Sequence, residues 1–178
     1  MKQGDKPFRV GILGGMGPLA GVELHRLIID ATPAAKDQDH IQVMLFTNPA
    51  VPDRTASLQN DNGQKFTEAA GESVAELERA NANVIVIACM TAHSRIKQIQ
   101  QRTNVPILSG IPLVHTALAM HFPKAKIALL ATPGSVQSGV YTNNSPNIDW
   151  MLPVPDTQYL ITESIYKIKA GSLQSGAR

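Results

Sequence analysis

Only one of the 178 residues is a cysteine, Cys89, so no disulfide can form within the chain, and a reducing compartment is the expectation. Aromatic residues are scarce as well, at 4%, which leaves any core to be built from aliphatic side chains. Neither sign of charge dominates: the formal net charge is +2, and Lys and Arg are scattered singly. Without a basic stripe to follow a phosphate backbone, nucleic acid is not an expected partner. No apolar run approaches the ~20 residues of a membrane span, and no charged-then-apolar leader precedes Val10. These absences predict a cytoplasmic protein with no membrane partner. What is present is 43% hydrophobic residues, enough to bury a sizeable core in one domain or a little more.

The chain is organised around Asn83-Val84-Ile85-Val86-Ile87-Ala88-Cys89-Met90-Thr91-Ala92-His93. A continuous run of β-branched residues reads as a strand buried on both faces, and Ile96, Ile99 and Gln100 then recur at helical spacing. Cys89 therefore sits at a strand-to-helix corner. Ligands of open parallel sheets gather outside the carboxyl ends of the strands, and free N–H groups at a helix start favour an anion such as a thiolate. The competing reading is a buried cysteine acting as a small hydrophobe. His93, four residues on, is one helical turn away, either as an imidazolium partner of the thiolate or as a hydrogen-bonded core residue.

Three further stretches carry possible chemistry, set among elements that carry none. Residues 8–13 form a short strand that runs into Gly14-Gly15-Met16-Gly17-Pro18 and a helix bearing Leu19, Val22, Leu27 and Ile28. Glycines there let the backbone approach a ligand closely or simply make a tight turn; the spacing is not GxGxxG, so a dinucleotide site is not expected. A second strand, 41–47, leads into Asn48-Pro49-Ala50-Val51-Pro52-Asp53-Arg54-Thr55, where a guanidinium fork either grips a carboxylate or pairs locally with Asp53. Residues 66–79 read as an amphipathic helix with Val74 and Leu77 inward and a solvated acidic face. After a brief strand at 105–108 and a helix over 111–120, Lys126-Ile127-Ala128-Leu129-Leu130-Ala131-Thr132-Pro133-Gly134-Ser135 repeats the opening strand-and-turn pattern at an offset of about 117. Thr132 and Ser135 bring hydroxyls to a helix start. A strand at 149–154 and a helix at 157–169, closed by Gly171, complete the pattern.

In this order, Gly11-Ile12-Leu13-Gly14-Gly15-Met16-Gly17-Pro18, Asp37-Gln38-Asp39-His40, Pro52-Asp53-Arg54-Thr55, Cys89-Met90-Thr91-Ala92-His93 and Leu130-Ala131-Thr132-Pro133-Gly134-Ser135 with Ser138-Gly139-Val140-Tyr141 resemble the cofactor-independent aspartate/glutamate racemase family, most closely its aspartate racemase branch. The resemblance implies an α/β fold of two pseudo-symmetric parallel-sheet halves with the active site in the cleft between them. Residues 1–110 would be the first half, carrying Cys89, and 111–178 a partial second half. It also implies an amino-acid racemase, an isomerase acting without pyridoxal phosphate or any other cofactor and without a metal, on a small acidic amino acid, with homodimers common among its members. One thiol removes the α-proton on one face of the substrate and a second returns it on the other. Fixed cations and N–H groups stabilise the carbanion.

Carried over by residue, the resemblance makes Cys89 the base or acid of the first half, and Arg54 the holder of a substrate carboxylate. The corner of Cys89, Met90, Thr91 and Ala92 would bind the α-carboxylate or amine, Met16 would form the floor and Thr132 the facing wall, and Lys169 would pair with the distal carboxylate. Two departures stand out. Met90 occupies a position where the family usually has Asn, which removes an amide donor. The second cysteine, expected near position 206 from the repeat offset, lies beyond the sequence. The expectation is thus racemase chemistry with one thiol, against two alternatives on the same scaffold: a non-catalytic amino-acid or dicarboxylate-binding protein, and a single-cysteine isomerase or decarboxylase.

Overall fold

A computed structural model of the chain describes residues 7–143, 145 and 147–171. Four parallel strands form the main sheet in the order β2-β1-β3-β4: β1 (Arg9–Gly14), β2 (Gln42–Thr47), β3 (Val84–Ile87) and β4 (Ile107–Leu108). β1 pairs with β2 from Arg9↔Gln42 to Gly14↔Thr47 and, on its other side, with β3 from Val10↔Val84 to Leu13↔Ile87. The chain therefore leaves β1 in one direction and returns on the opposite side. That reversal puts a crevice between the carboxyl ends of β1 and β3, the position at which open α/β sheets receive ligands.

The period of two along β3 divides the sheet into two faces. Ile85 and Ile87 join a core with Leu13, Phe66, Ala70, Val74, Leu77 and Ile99. Most of these come from α3 (Gln64–Arg79), whose buried Phe66, Ala70, Val74 and Leu77 recur at helical spacing. Val84 and Val86 point the other way, into an apolar trough of about 600 Å³ flanked by Leu24 and Leu27 of α1 (Pro18–Ala31) and by Leu113 of α5 (Gly110–His121). α1 is pressed onto the sheet where two glycines meet: a side chain on Gly21 would strike Leu45 and the Gly14 backbone. Gly15, at φ +97, stands against the backbone of Asn48, so the first glycine turn packs on the loop after β2.

The expected elements appear with small shifts of boundary, with two exceptions. Arg54–Asn60 is a helix, α2, capped by Asp53, whose carboxylate accepts from the Ala56 N–H at 2.9 Å. At seven residues it is too short to show a periodic pattern. Beyond Cys89 the chain makes a 3₁₀ helix, Met90–Arg95, before the short α4 (Ile96–Gln100). The second α/β unit has its own two-stranded parallel sheet, β5 (Lys126–Ala128) with β6 (Asp149–Met151), plus α6 (Pro133–Gln137) and α7 (Pro155–Lys169). Among the described residues, no helix is long and apolar enough to cross a membrane. Phe66 is fully buried, and truncating it should leave a cavity that the aliphatic core cannot refill. Phe66→Ala is expected to lower stability by about 3–5 kcal/mol, read as a fall in the urea midpoint at unchanged slope.

Candidate active site

β3 ends at Ile87; the N–H of the following Ala88 donates to the Leu13 carbonyl of β1, and the next residue is Cys89. The strand thus delivers the sulfur to the crevice beside the first glycine turn. Cys89 is 7% exposed: its flank belongs to the core, while it also lines a cavity of about 250 Å³. Met16 and Gly17 from the β1 loop, Met90 and Thr91 from the Cys89 corner, Thr132, Ser135 and Tyr141 from the second unit, and Lys169 from the end of α7 share that lining. A space of this size suits a small metabolite. Among the described residues, no group of three or more His, Cys, Asp or Glu side chains is placed to hold a metal ion.

Three hydroxyls join the two units across the cavity floor. Thr91 Oγ1 lies 3.0 Å from Thr132 Oγ1 and 2.7 Å from Ser135 Oγ, and the last two are 3.2 Å apart. All three residues are buried. Beside them the Gly134 N–H donates to Thr55 Oγ1 at 3.2 Å, and any side chain on Gly134 would press on the Thr55 backbone. Close packing of Gly134 is therefore what lets the hydroxyls meet.

His93 resolves in favour of the core role. The Gly110 N–H donates to its Nε2 at 3.3 Å, so the proton resides on Nδ1, which donates to the Cys89 carbonyl at 3.0 Å. The ring ties the thiol's own backbone to the start of α5. Burial lowers the His93 pKa, against a smaller upward pull from the Cys89 carbonyl.

The cations are arranged differently from a simple fork. Arg54 is buried, with Nη1 donating to the carbonyls of Val51 (3.2 Å) and Pro52 (3.0 Å), and Nη2 donating to Met16 (3.1 Å). Its end therefore pins the first loop to the loop after β2, and it does not line the cavity wall. Arg54 Nε is buried without a partner. Lys169 lies half-buried on Gly17 and above the Tyr166 ring, 4.9 Å from its centroid. Burial, and next the charge of Arg54, lower the Lys169 pKa, while Cys89 and Asp53 act in the opposite direction. Burial also raises the Asp53 pKa, but the Ala56 N–H, the Tyr166 hydroxyl, Arg54 and Lys169 together bring it below the usual carboxylate range. Among the described residues, neither Arg54 nor Lys169 forms an ion pair; the ion pairs lie at Arg26, Arg79 and Lys167, on exposed helix faces.

Of the residues singled out from sequence, Cys89, Met16, Met90, Thr91, Thr132 and Lys169 meet at one cavity; Ala92 is fully buried in the core and does not line it, and Arg54 stands behind the first loop. Tyr141 lines the same cavity without having been assigned a role, though it ends one of the quoted motifs. Burial, with a smaller contribution from Cys89, raises its pKa. Tyr166 is not legible from sequence, because an aromatic in an amphipathic helix carries no local sign of what it touches.

Residues 13–166 match the family model described as Asp/Glu/Hydantoin racemase. The chain is 28% identical over 136 residues to the broad specificity amino-acid racemase RacX of Bacillus subtilis, covering 74% of this chain and 58% of that protein. It is 32% identical over 99 residues to the glutamate racemase of Shewanella frigidimarina, covering 55% of this chain and 36% of that protein. Among solved structures, the aspartate racemase of Picrophilus torridus superposes with a TM-score of 0.80 at 31% identity, covering 93% of this chain and 69% of that one. The chain thus spans little more than half the length of the first of these curated relatives.

Because His93 is held neutral below its ordinary pKa, the unfolded chain takes up its proton first on acidification. The stability this group contributes is full above about pH 6.5, the unfolded value, and is lost as pH falls toward the lower folded value. The urea midpoint should therefore drop with pH in that window. His93→Asn, which retains a donor near Nδ1, should flatten the drop; an unchanged profile in the variant would assign the dependence to other groups.

Proposed function

The chain belongs to the Asp/Glu/hydantoin racemase family, and from that premise we propose that its cavity binds a small acidic amino acid and that Cys89 exchanges the α-proton of that ligand without a cofactor. The observation that carries this reading is the pairing of one thiol with two cations that have no anion of their own among the described residues. A half-buried ammonium lining a cavity, with the charge of a buried guanidinium behind the wall, is a costly arrangement unless an anionic ligand completes it.

In this reading the Lys169 ammonium receives the distal carboxylate. The Thr91, Thr132 and Ser135 hydroxyls and the backbone of the Cys89 corner receive the α-carboxylate. The thiolate of Cys89 removes the proton from Cα, forming an S–H bond as the C–H electron pair passes into the carboxylate. The negative charge that develops there is stabilised by fixed donors and by the field of Arg54 behind the first loop. Reprotonation by the Cys89 thiol on the same face returns the starting enantiomer. Inversion needs a proton donor on the opposite face, and one cysteine serves one face. The two cations suit an acidic amino acid, and the likeness to a protein named as an aspartate racemase favours aspartate as the ligand.

In D2O the chain should therefore incorporate deuterium at Cα of aspartate. Cys89→Ser should lower the exchange rate by about 10²- to 10⁴-fold while leaving aspartate binding in place. Proton NMR for exchange and chiral chromatography for configuration provide the readouts. Binding without exchange would reduce the protein to an amino-acid-binding role, and absence of both would remove the acidic ligand from the account.

A further inference from the structure

α7 carries Lys169 into the cavity, yet no residue of that helix is buried. A helix so lightly packed cannot by itself hold a side chain in register. Its ties to neighbouring elements are light: the Lys169 stem rests on Gly17, Gln158 Nε2 donates to the Ala131 carbonyl at 2.9 Å near the start of the helix, and at its far end the Tyr166 hydroxyl donates to Asp53 Oδ2 at 2.8 Å. Asp53 is itself immobilised, because its other oxygen caps α2 at the residue before Arg54. The Tyr166 ring, fixed at its hydroxyl, then lies under the Lys169 ammonium.

We propose that Tyr166 is the positioning residue for Lys169, and through it sets the preference of the cavity for a ligand with a distal carboxylate. This rests on the reading of Lys169 as the anchor for that carboxylate. The choice of an aromatic ring as the support has a physical consequence. A carboxylate in its place would pair with the ammonium, neutralise it and compete with the ligand. A ring face attracts the cation through its quadrupole, leaving the charge and the N–H donors for the ligand. Asp53, a carboxylate whose charge acts on Lys169, is occupied by the Ala56 N–H and the Tyr166 hydroxyl. One side chain therefore restrains the helix, keeps the local anion away from the lysine and supports the lysine's charge.

Binding of L-aspartate and of its uncharged isostere L-asparagine, measured by calorimetry, tests the proposal. In Tyr166→Leu the preference for aspartate over asparagine should fall at least tenfold. In Tyr166→Phe, which keeps the ring and loses the hydroxyl, it should fall about threefold. A merely structural role is separated by repeating the change in a Lys169→Met background, where Tyr166→Leu should have no further effect on the preference. The proposal is overturned if the preference is unchanged in Tyr166→Leu, if both ligands weaken alike, or if the loss is the same with Lys169 absent. If the unaltered protein binds neither ligand, or binds both equally, it is the reading of the cavity as an acidic amino-acid site that fails, and this inference fails with it.

Discussion

The contact on which the rest depends is the buried cluster of Thr91, Thr132 and Ser135. Each hydroxyl is both donor and acceptor, so three of them can satisfy one another without water. Two come from the turn that opens α6 and one from the 3₁₀ turn after Cys89, so satisfying them fixes the second unit against the first. The cavity exists because this junction closes its floor while the β1 loop and the end of α7 form its sides. The absence of a side chain on Gly134 sets how closely the two units approach.

Above that floor the electrostatics are uneven. Arg54 is immobilised on three backbone carbonyls, so its guanidinium is fixed in place, while Lys169 sits on a ring at the end of a lightly packed helix. One cation is part of the framework and the other is suspended beside the cavity. Such a pair stabilises charge that develops on a bound carboxylate at little reorganisation cost, because the guanidinium does not have to move. The thiol meets the same cavity just beyond the end of a strand paired to β1.

Much of this was legible in the chain, and the gaps have identifiable causes. The helical spacing at 66–79 reports burial directly and makes α3; the apolar run at 84–87 makes β3, but the expectation of burial on both faces holds only for Ile85 and Ile87, since Val84 and Val86 are half-buried on the apolar trough. The corner at Cys89 followed from the end of that run. By contrast, Arg54 looked like a ligand fork because sequence shows its chemistry and not its neighbours; carbonyls of Val51, Pro52 and Met16 occupy its ends, one of them 38 residues away. Tyr166 and Asp53 are 113 residues apart, and nothing local in either segment announces the bond between them. His93 had two open roles four residues from Cys89, and the Gly110 N–H, supplied by the start of α5, decided between them.

The central claim is that Cys89 faces a cavity where the Lys169 ammonium, with Arg54 behind the wall, receives an acidic ligand. As the sequence has no other thiol, alkylation of the native chain reports this site alone. The account predicts that anionic iodoacetate modifies the sulfur faster, relative to neutral iodoacetamide, than it does in the unfolded chain, and that L-aspartate slows both reagents. A sulfur that reacts only after unfolding, or at rates indifferent to reagent charge and to aspartate, would contradict it.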